Sequence, residues 1–356
     1  MSEHEGHATM QATDTHTADA RLRLHRLATG DEDAAASFGR DVARGLTSTP
    51  KRLFPKYFYD ELGSHLFEAI CLLPEYYLTR AEDEILSLRA DEIAVACGDE
   101  PITLLEFGSG SSTKTRHLID ALLRRQNELL YVPVDISPSA LETAAGALFE
   151  AYPRLRVEAY AGDYDAALAR LKRDKPARGR TLALFLGSNI GNFDPADAEE
   201  FLRKVRGVLT AGDAFLLGAD LKKDAATLEA AYDDALGVTA AFNLNLLARI
   251  NRELGANFDP RAFRHAAVYN ERAGRVEMHL ESTRAQNVNV AALALGVSFA
   301  AGERIHTENS YKYAPAELDA LAARAGFAHA GAWIDAAGRF SSTLFRAVGA
   351  SEHSNA

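Results

Sequence analysis

Cysteine is nearly absent from this chain of 356 residues: Cys71 and Cys97 are the two it has. They show neither a metal-ligand spacing nor a disulfide framework, so no metal is expected and a reducing, cytoplasmic setting is implied. No apolar run reaches the roughly 18–20 residues of a membrane span. Residues 1–30, rich in His, Thr, Ala and Asp, lack the apolar stretch of a secretory signal. A basic surplus is missing too: the formal charge is −11, which argues against a general nucleic-acid or anionic-membrane partner. Internal repeats and low-complexity linkers are also missing. What remains, 47% hydrophobic and 25% charged residues, is the composition of a globular protein long enough for one large domain and a smaller one. Residues 1–30 read as a loosely ordered tail. Its irregularly spaced histidines (His4, His7, His16 and His25) read as surface groups rather than metal ligands.

From residue 102 onward, short apolar runs alternate with amphipathic stretches. The runs at Ile102–Phe107, Leu129–Val134, Val157–Tyr160, Thr181–Leu186 and Ala214–Asp220 read as strands; Thr115–Arg125, Pro138–Phe149 and Pro195–Leu209 read as helices. This is the α/β pattern of a parallel sheet covered on both faces. The rhythm then breaks. Residues 221–313 hold a helical stretch (Ala225–Leu254) and alternating runs at Phe263–Asn270, Arg275–Ser282 and Val297–Ala300, an expected antiparallel unit. A helix at Pro315–Ala325, stopped by Gly326, and strands at His329–Asp335 and Ser342–Val348 close the chain. About 90 residues are thus inserted after the fifth strand, above the crevice where parallel sheets bind ligands, and a substrate lid is expected there.

Residues 104–115, Leu-Leu-Glu-Phe-Gly-Ser-Gly-Ser-Ser-Thr-Lys-Thr, carry the sharpest chemical signal. A strand delivers a glycine turn to a helix start, which makes a cradle for a nucleotide-like ligand. The spacing is not the dinucleotide fingerprint, because Thr113 occupies its third glycine position. Glu-x-Gly-x-Gly fits the first motif of S-adenosylmethionine (SAM) methyltransferases, with Ser112 standing where a third glycine is often found. Two acids follow in order. Asp135 ends the second run, where a carboxylate can accept ribose hydroxyls; its alternative is a neighbour of a helix cap at Ser137-Pro138. Asp163-Tyr164 follows the third, where an acid and an aromatic can meet adenine, or where the acid merely makes a turn. Lys114, on the first turn after the glycines, can meet the methionine carboxylate of SAM or remain an exposed helix lysine.

Four longer strings stand out: Phe-Tyr-Asp-Glu-Leu-Gly-Ser (58–64), Leu-Pro-Glu-Tyr-Tyr-Leu-Thr-Arg (73–80), Glu-Phe-Gly-Ser-Gly-Ser-Ser-Thr-Lys-Thr (106–115) and Leu-Gly-Ser-Asn-Ile-Gly-Asn-Phe (186–193). In order, from about residue 35 to 348, the chain resembles the L-histidine Nα-methyltransferases of ergothioneine biosynthesis. The resemblance implies a Rossmann-like, seven-stranded class I SAM methyltransferase sheet with a smaller α+β lid domain inserted after the fifth strand. It divides the chain into a tail (1–30), an N-terminal contribution to the lid (31–85), a SAM-binding domain (86–220 with 314–350) and the inserted lid (221–313). The implied reaction is threefold methylation of the α-amine of free L-histidine to hercynine by a cytoplasmic, monomeric enzyme. Carried over by position, the implied SAM contacts are Gly108, Lys114, Asp135, Asp163 and Tyr164, with Tyr164 where phenylalanine is common. The implied carboxylate binders are Tyr76, Asn192 and Tyr232; Tyr59 lies near the amine, as an orienting group or a base. By the same resemblance Glu308 and Ser310 are implied to hold the imidazole, and Met278 to wall the same subpocket.

These residue types suit the chemistry. Methyl transfer is an in-line displacement that depends on aiming a neutral amine, and an α-ammonium with a pKa near 8 needs no strong base. Tyrosine and asparagine offer neutral donors to a carboxylate; without the resemblance, Tyr76 and Tyr232 would read as packing residues. Glu308 can accept from one ring nitrogen, and Ser310 can donate to or accept from the other. Separated by one residue, the two face the same side of a strand, although Glu and Ser on a solvated sheet face is the reading the pattern alone favours. An aromatic substrate such as tryptophan or tyrosine would want an apolar residue at Glu308. A nicotinamide oxidoreductase would need a glycine at Thr113, and a non-catalytic SAM-binding protein would be expected to lose pocket residues.

Overall fold

The structure, a computed structural model, describes residues 13–16, 20–27, 31–174 and 177–349. In chain order the first elements are strands β1 (Thr13–His16) and β2 (Leu22–Arg26), helix α1 (Asp31–Thr47), the short β3 (Lys51–Arg52), α2 (Glu61–Cys71) and α3 (Leu78–Ala96). The alternating region follows as β4 (Ile102–Phe107), α4 (Arg116–Arg125), β5 (Leu129–Asp135), α5 (Pro138–Ala151), β6 (Leu155–Ala161), α6 (Tyr164–Asp174), β7 (Arg180–Phe185), α7 (Pro195–Arg206) and β8 (Ala214–Asp220). Then come α8 (Ala225–Tyr232), α9 (Val238–Leu254), β9 (Phe263–Asn270), β10 (Arg275–Ser282), β11 (Gln286–Val290), β12 (Leu295–Phe299) and β13 (Arg304–Tyr311). The chain closes with α10 (Pro315–Arg324), β14 (Phe327–Ile334) and β15 (Phe340–Ala347).

The main sheet runs β1-β2-β6-β5-β4-β7-β8-β15-β14. β2, β6, β5, β4, β7 and β8 are mutually parallel, and β15 is antiparallel to both of its neighbours. From β6 to β14 this is the seven-stranded order of class I methyltransferases. β4, β7 and β8 are buried almost throughout because helices cover both faces. β4 pairs with β5 on one side and β7 on the other, so the connections leave it in opposite directions and open a crevice at the carboxyl ends.

The sheet has nine strands rather than seven, which corrects the expectation of a loose tail over residues 1–30. β1 and β2 form a hairpin, and β2 extends the β6 edge in parallel with Leu22 and Leu24 buried. His25, expected at the surface, is also buried: its ring stacks on Tyr160 at 4.6 Å and its Nε2 lies 3.2 Å from Glu158. His16 falls in β1. His4 and His7, with the rest of the expected tail, lie outside the described residues.

A second sheet, β3-β13-β10-β9, is antiparallel except for the β3–β13 pair, and β11 pairs with β12 beside it. The stretch expected as helical over 225–254 is two helices, interrupted before Gly237, whose φ of 75° starts α9. One apolar cluster joins Phe38 and Leu46 of α1, Ile70 of α2, Leu246 and Ile250 of α9, and Leu280 of β10. Segments far apart in sequence thus share one core. Helix α3 ties that core to the main sheet, with Ile85 in the first and Leu86 and Ile93 in the second. Among the described residues, no helix is long and apolar enough to cross a membrane.

Candidate active site

The glycine turn between β4 and α4 is braced from beneath. Glu106, fully enclosed, accepts hydrogen bonds from Tyr131 and from the Thr115 hydroxyl at 2.8 Å. Burial pushes its carboxyl up to about 7, against those hydrogen bonds. Gly108 has a φ of 70°, and a Cβ there would lie 2.7 Å from the Tyr164 hydroxyl, so this turn requires glycine. Ser112, in the place of the third glycine, sits at φ 54° and is anchored by a 2.8 Å bond between its hydroxyl and that of Tyr131. The hydroxyl contact helps to offset the backbone strain.

Asp135 ends β5 and holds the turn to the next helix. Its carboxylate accepts from Gly110 N at 2.9 Å and from Ser137 N at 3.0 Å. One oxygen of Asp163 accepts from Ala166 N at 2.8 Å at the start of α6; the other makes no hydrogen bond among the described residues. The Tyr164 ring packs edge-on against Phe107 and Phe185 at the head of the crevice. Lys114 is not free: its ammonium pairs with Glu82, a buried carboxylate of α3 that also accepts from Gly187 N at 2.9 Å. Glu82 thereby ties the glycine turn to the loop after β7.

That loop (186–193) forms one wall of a cavity. Gly191 is required there because a Cβ would meet Tyr311 O at 2.7 Å. The cavity is lined by Tyr59, Tyr76, Asn192, Tyr232, Met278, Glu308 and Ser310, bringing together all seven residues expected on the substrate side. Asn189 lines it as well, and its amide lies 3.3 Å from where a Gly108 Cβ would stand, so the cavity adjoins the glycine turn.

Local chemistry explains how each wall is held. Tyr59 precedes Asp60, which caps α2 through Gly63 N at 2.7 Å and is gripped from α9 by Asn245 at 2.8 Å and Arg252 at 2.6 Å. The turn carrying Tyr76 is pinned by Arg80, whose guanidinium donates to Leu73 O at 2.7 Å and Pro74 O at 2.6 Å. Tyr232 ends α8, and His265 of β9 donates to its carbonyl at 2.8 Å. A bulge sets the inward face of β13: Met278 pairs with Glu308 and His279 with His306, leaving Thr307 as the extra residue. The bulge shifts the alternation so that Glu308 and Ser310 both turn inward, opposite buried Met278.

Burial pushes the Glu308 carboxyl up to about 7, opposed by the Lys312 ammonium. Tyr59 and Tyr76 are held well above the ordinary tyrosine range, chiefly by desolvation, and Tyr232 is raised by burial against the pull of Lys312. All three remain phenols near neutral pH.

The family of SAM-dependent, histidine-specific methyltransferases matches residues 38–347. The chain belongs to that family. It is 48% identical over 315 residues to histidine N-alpha-methyltransferase of Mycolicibacterium smegmatis, covering 88% of this chain and 96% of that protein. The protein of the same name from Mycobacterium tuberculosis is 47% identical over the same shares. Ergothioneine biosynthesis protein 1 of Neurospora crassa is 32% identical over 287 residues, which are 80% of this chain and 32% of that longer protein.

For a histidine-specific methyltransferase the carboxyl edge of the main sheet fits SAM. Gly108 opens the turn where a Cβ would crowd the Tyr164 hydroxyl, and one oxygen of Asp163 makes no hydrogen bond among the described residues. Ile136, beside Asp135, is 58% exposed, an apolar surface at the mouth that sequence reasoning passed over although it follows the acid directly. Sequence reasoning also missed Glu82, which sits mid-helix without a distinguishing pattern. It missed Lys312 as well, which donates to Tyr232 and Ser310 at 2.8 and 2.9 Å. For Lys312 a signal existed: residues 308, 310 and 312 are spaced to share one strand face.

Proposed function

We propose that this methyltransferase transfers three methyl groups in succession to the α-amine of free L-histidine, giving N,N,N-trimethylhistidine (hercynine), with 31–85 and 221–313 together acting as the lid over the substrate. The observation that carries this reading is one cavity in which a buried carboxylate and a hydroxyl on adjacent inward positions face Met278 beside the glycine turn. SAM, when bound, supplies an electrophilic methyl group. Gly108, Asp135, Asp163, Tyr164 and Lys114 would hold it, Asp135 at the ribose and Asp163 with Tyr164 at the adenine.

The other roles belong to this chain's own side chains. Tyr76, Asn192 and Tyr232 donate to the substrate carboxylate. Glu308 and Ser310 grip the imidazole, and a site built on buried polar groups rejects side chains lacking their complements. Tyr59 orients the amine. A phenol held well above its ordinary pKa is a poor proton acceptor, which supports orientation over base catalysis. The α-ammonium then loses its proton to water, which its ordinary pKa near 8 permits.

The test is mass spectrometry of the protein incubated with SAM and a mixture of the twenty amino acids. Histidine heavier by three CH₂ units is expected. Methylation of tryptophan or tyrosine instead would keep the cofactor assignment and overturn the Glu308–Ser310 assignment. SAM binding without any product would favour a non-catalytic role.

A further inference from the structure

Behind the pocket lies a charge cluster that the roles above do not use. The Lys312 side chain is 0% exposed, and its ammonium meets three acceptors: Asp220 Oδ2 at 2.9 Å, the Tyr232 hydroxyl at 2.8 Å and Ser310 Oγ at 2.9 Å. Asp220 is itself enclosed and is held by the Tyr77 hydroxyl at 2.9 Å and by Lys223 at 2.6 Å. An ammonium has three N–H groups and no lone pair. Lys312 therefore has no donor left for a ligand, and neither hydroxyl can turn a proton back towards it.

The Tyr232 and Ser310 oxygens are 2.7 Å apart, a separation at which a proton lies between them. Two hydroxyls carry two protons: one joins the pair and one points into the pocket. If Ser310 donates to Tyr232, the pocket sees Tyr232 as donor and Ser310 as acceptor; if Tyr232 donates to Ser310, the polarity reverses. The pair presents one donor and one acceptor, never two donors.

We propose that the Lys312–Tyr232–Ser310 triangle is a polarity filter, with Lys312 its positioning residue. In the filled site Tyr232 donates to the substrate carboxylate, Ser310 accepts a ring N–H, and one further proton is shared between Glu308 and the other ring nitrogen. The inference rests on the histidine reading above. A carboxylate only accepts, so it claims the one free hydroxyl proton and leaves Ser310 as an acceptor. The second ring nitrogen then faces Glu308 either as N–H to carboxylate or as bare nitrogen to carboxylic acid. Both forms hold the same number of protons, one more than a neutral ring beside an ionised Glu308.

The other titratable groups around Glu308 do not blur the count. Tyr59 before α2, Cys71 at its end, Tyr76 before α3 and Tyr232 at the end of α8 are all raised, chiefly by burial, and Lys312 beyond β13 stays cationic beside Asp220 of β8. Of the groups that meet at the imidazole, Glu308, at about 7, and the free imidazole itself, ordinarily near 6.5, change charge near neutrality.

The test uses the trimethylated product, whose quaternary nitrogen no longer titrates, as ligand for the full-length protein. Calorimetry in buffers of different ionisation enthalpy should show uptake of nearly one proton at pH 8. Affinity should fall about tenfold per pH unit between about pH 7.5 and 9, as linkage requires. In Glu308→Gln an amide N–H can donate permanently to the ring, so this slope should flatten to less than about twofold per unit while binding persists. A flat wild-type affinity with no proton uptake, alongside normal histidine turnover, would overturn the filter and leave the function standing. Absence of histidine turnover would overturn the function reading itself.

Discussion

The two halves of the site are built differently. At the cofactor edge, Asp135, Asp163 and Glu106 each bond within the stretch from β4 to α6, to partners no more than 25 positions away. Asp135 bonds Gly110 N and Ser137 N, Asp163 bonds Ala166 N, and Glu106 bonds Thr115. The substrate pocket instead draws its walls from residues 59 to 310, held by contacts between distant elements such as Asp60 with Asn245 and Arg252, or Tyr77 with Asp220. Backbone geometry sets the first, and tertiary packing sets the second. Substitutions should therefore divide cleanly, those at the edge altering SAM affinity and those in the pocket altering histidine kinetics.

Glu308→Ala should give the largest effect. It removes the buried carboxylate proposed to face the imidazole and would leave a ring nitrogen unpaired. A loss of about 3 kcal/mol is expected for a charged hydrogen bond, or roughly 10²-fold in kcat/KM for histidine. SAM affinity, read by calorimetry, should stay within about twofold. Unchanged histidine kinetics would remove Glu308 from the imidazole role and blur the contrast between the halves. Asp135→Ala should act on the other side, lowering SAM affinity by about tenfold through loss of the proposed ribose contact and the loosened Gly110 turn. Histidine KM at saturating SAM should hardly move; equal damage to both ligands would mean that the halves are one mechanical unit, with the Glu82 link between Lys114 and Gly187 as the obvious carrier.

The same division decides what was legible in the sequence. β4 to β8 could be read because buried parallel strands are continuous apolar runs, and the glycine turn because its spacing is local. The hairpin of β1 and β2 escaped because Arg-Leu-Arg-Leu-His-Arg is short and half charged, and only pairing with β6 makes it a strand. The pocket residues were found by family resemblance, since nothing local marks Tyr76 or Tyr232 as lining a cavity. Lys312 was passed over because an unpaired lysine belongs on the surface; it is buried only because Asp220, 92 positions earlier in the chain at the end of β8, meets it. The bulge at Thr307 is equally silent, since it is a property of the β10–β13 pairing.

Tyr59→Phe asks how much of the pocket's work is orientation. The ring packs edge-on against Phe67 and Phe242 at 5.6 and 5.7 Å, and phenylalanine preserves both contacts. Losing one neutral hydrogen bond, about 1 kcal/mol, predicts a kcat about fivefold lower with histidine KM little changed. If Tyr59 only orients the amine, as proposed, the pH profile should keep an alkaline rise set by the α-amine. A profile that lost its rise, with kcat down by 10³-fold or more, would make Tyr59 the base.

The smallest effect is expected at Ser112, where the cofactor edge departs from the common glycine. Ser112→Gly relieves a left-handed φ of 54°, worth about 1 kcal/mol, but removes the buried hydroxyl bond to Tyr131, which is worth about as much. The two nearly cancel, so denaturant melting should move by less than about 1 kcal/mol and SAM affinity by less than about twofold. Tyr131 keeps its bond to Glu106 in the variant, so the brace under the turn survives. Near-neutrality would mean that the edge tolerates different residues provided the backbone path is kept, as its local construction implies. A tenfold loss of SAM affinity at unchanged stability would show instead that the Ser112 hydroxyl, or the rigidity it gives the turn, is read by the ligand, and the cofactor edge would then depend on side-chain packing as the pocket does.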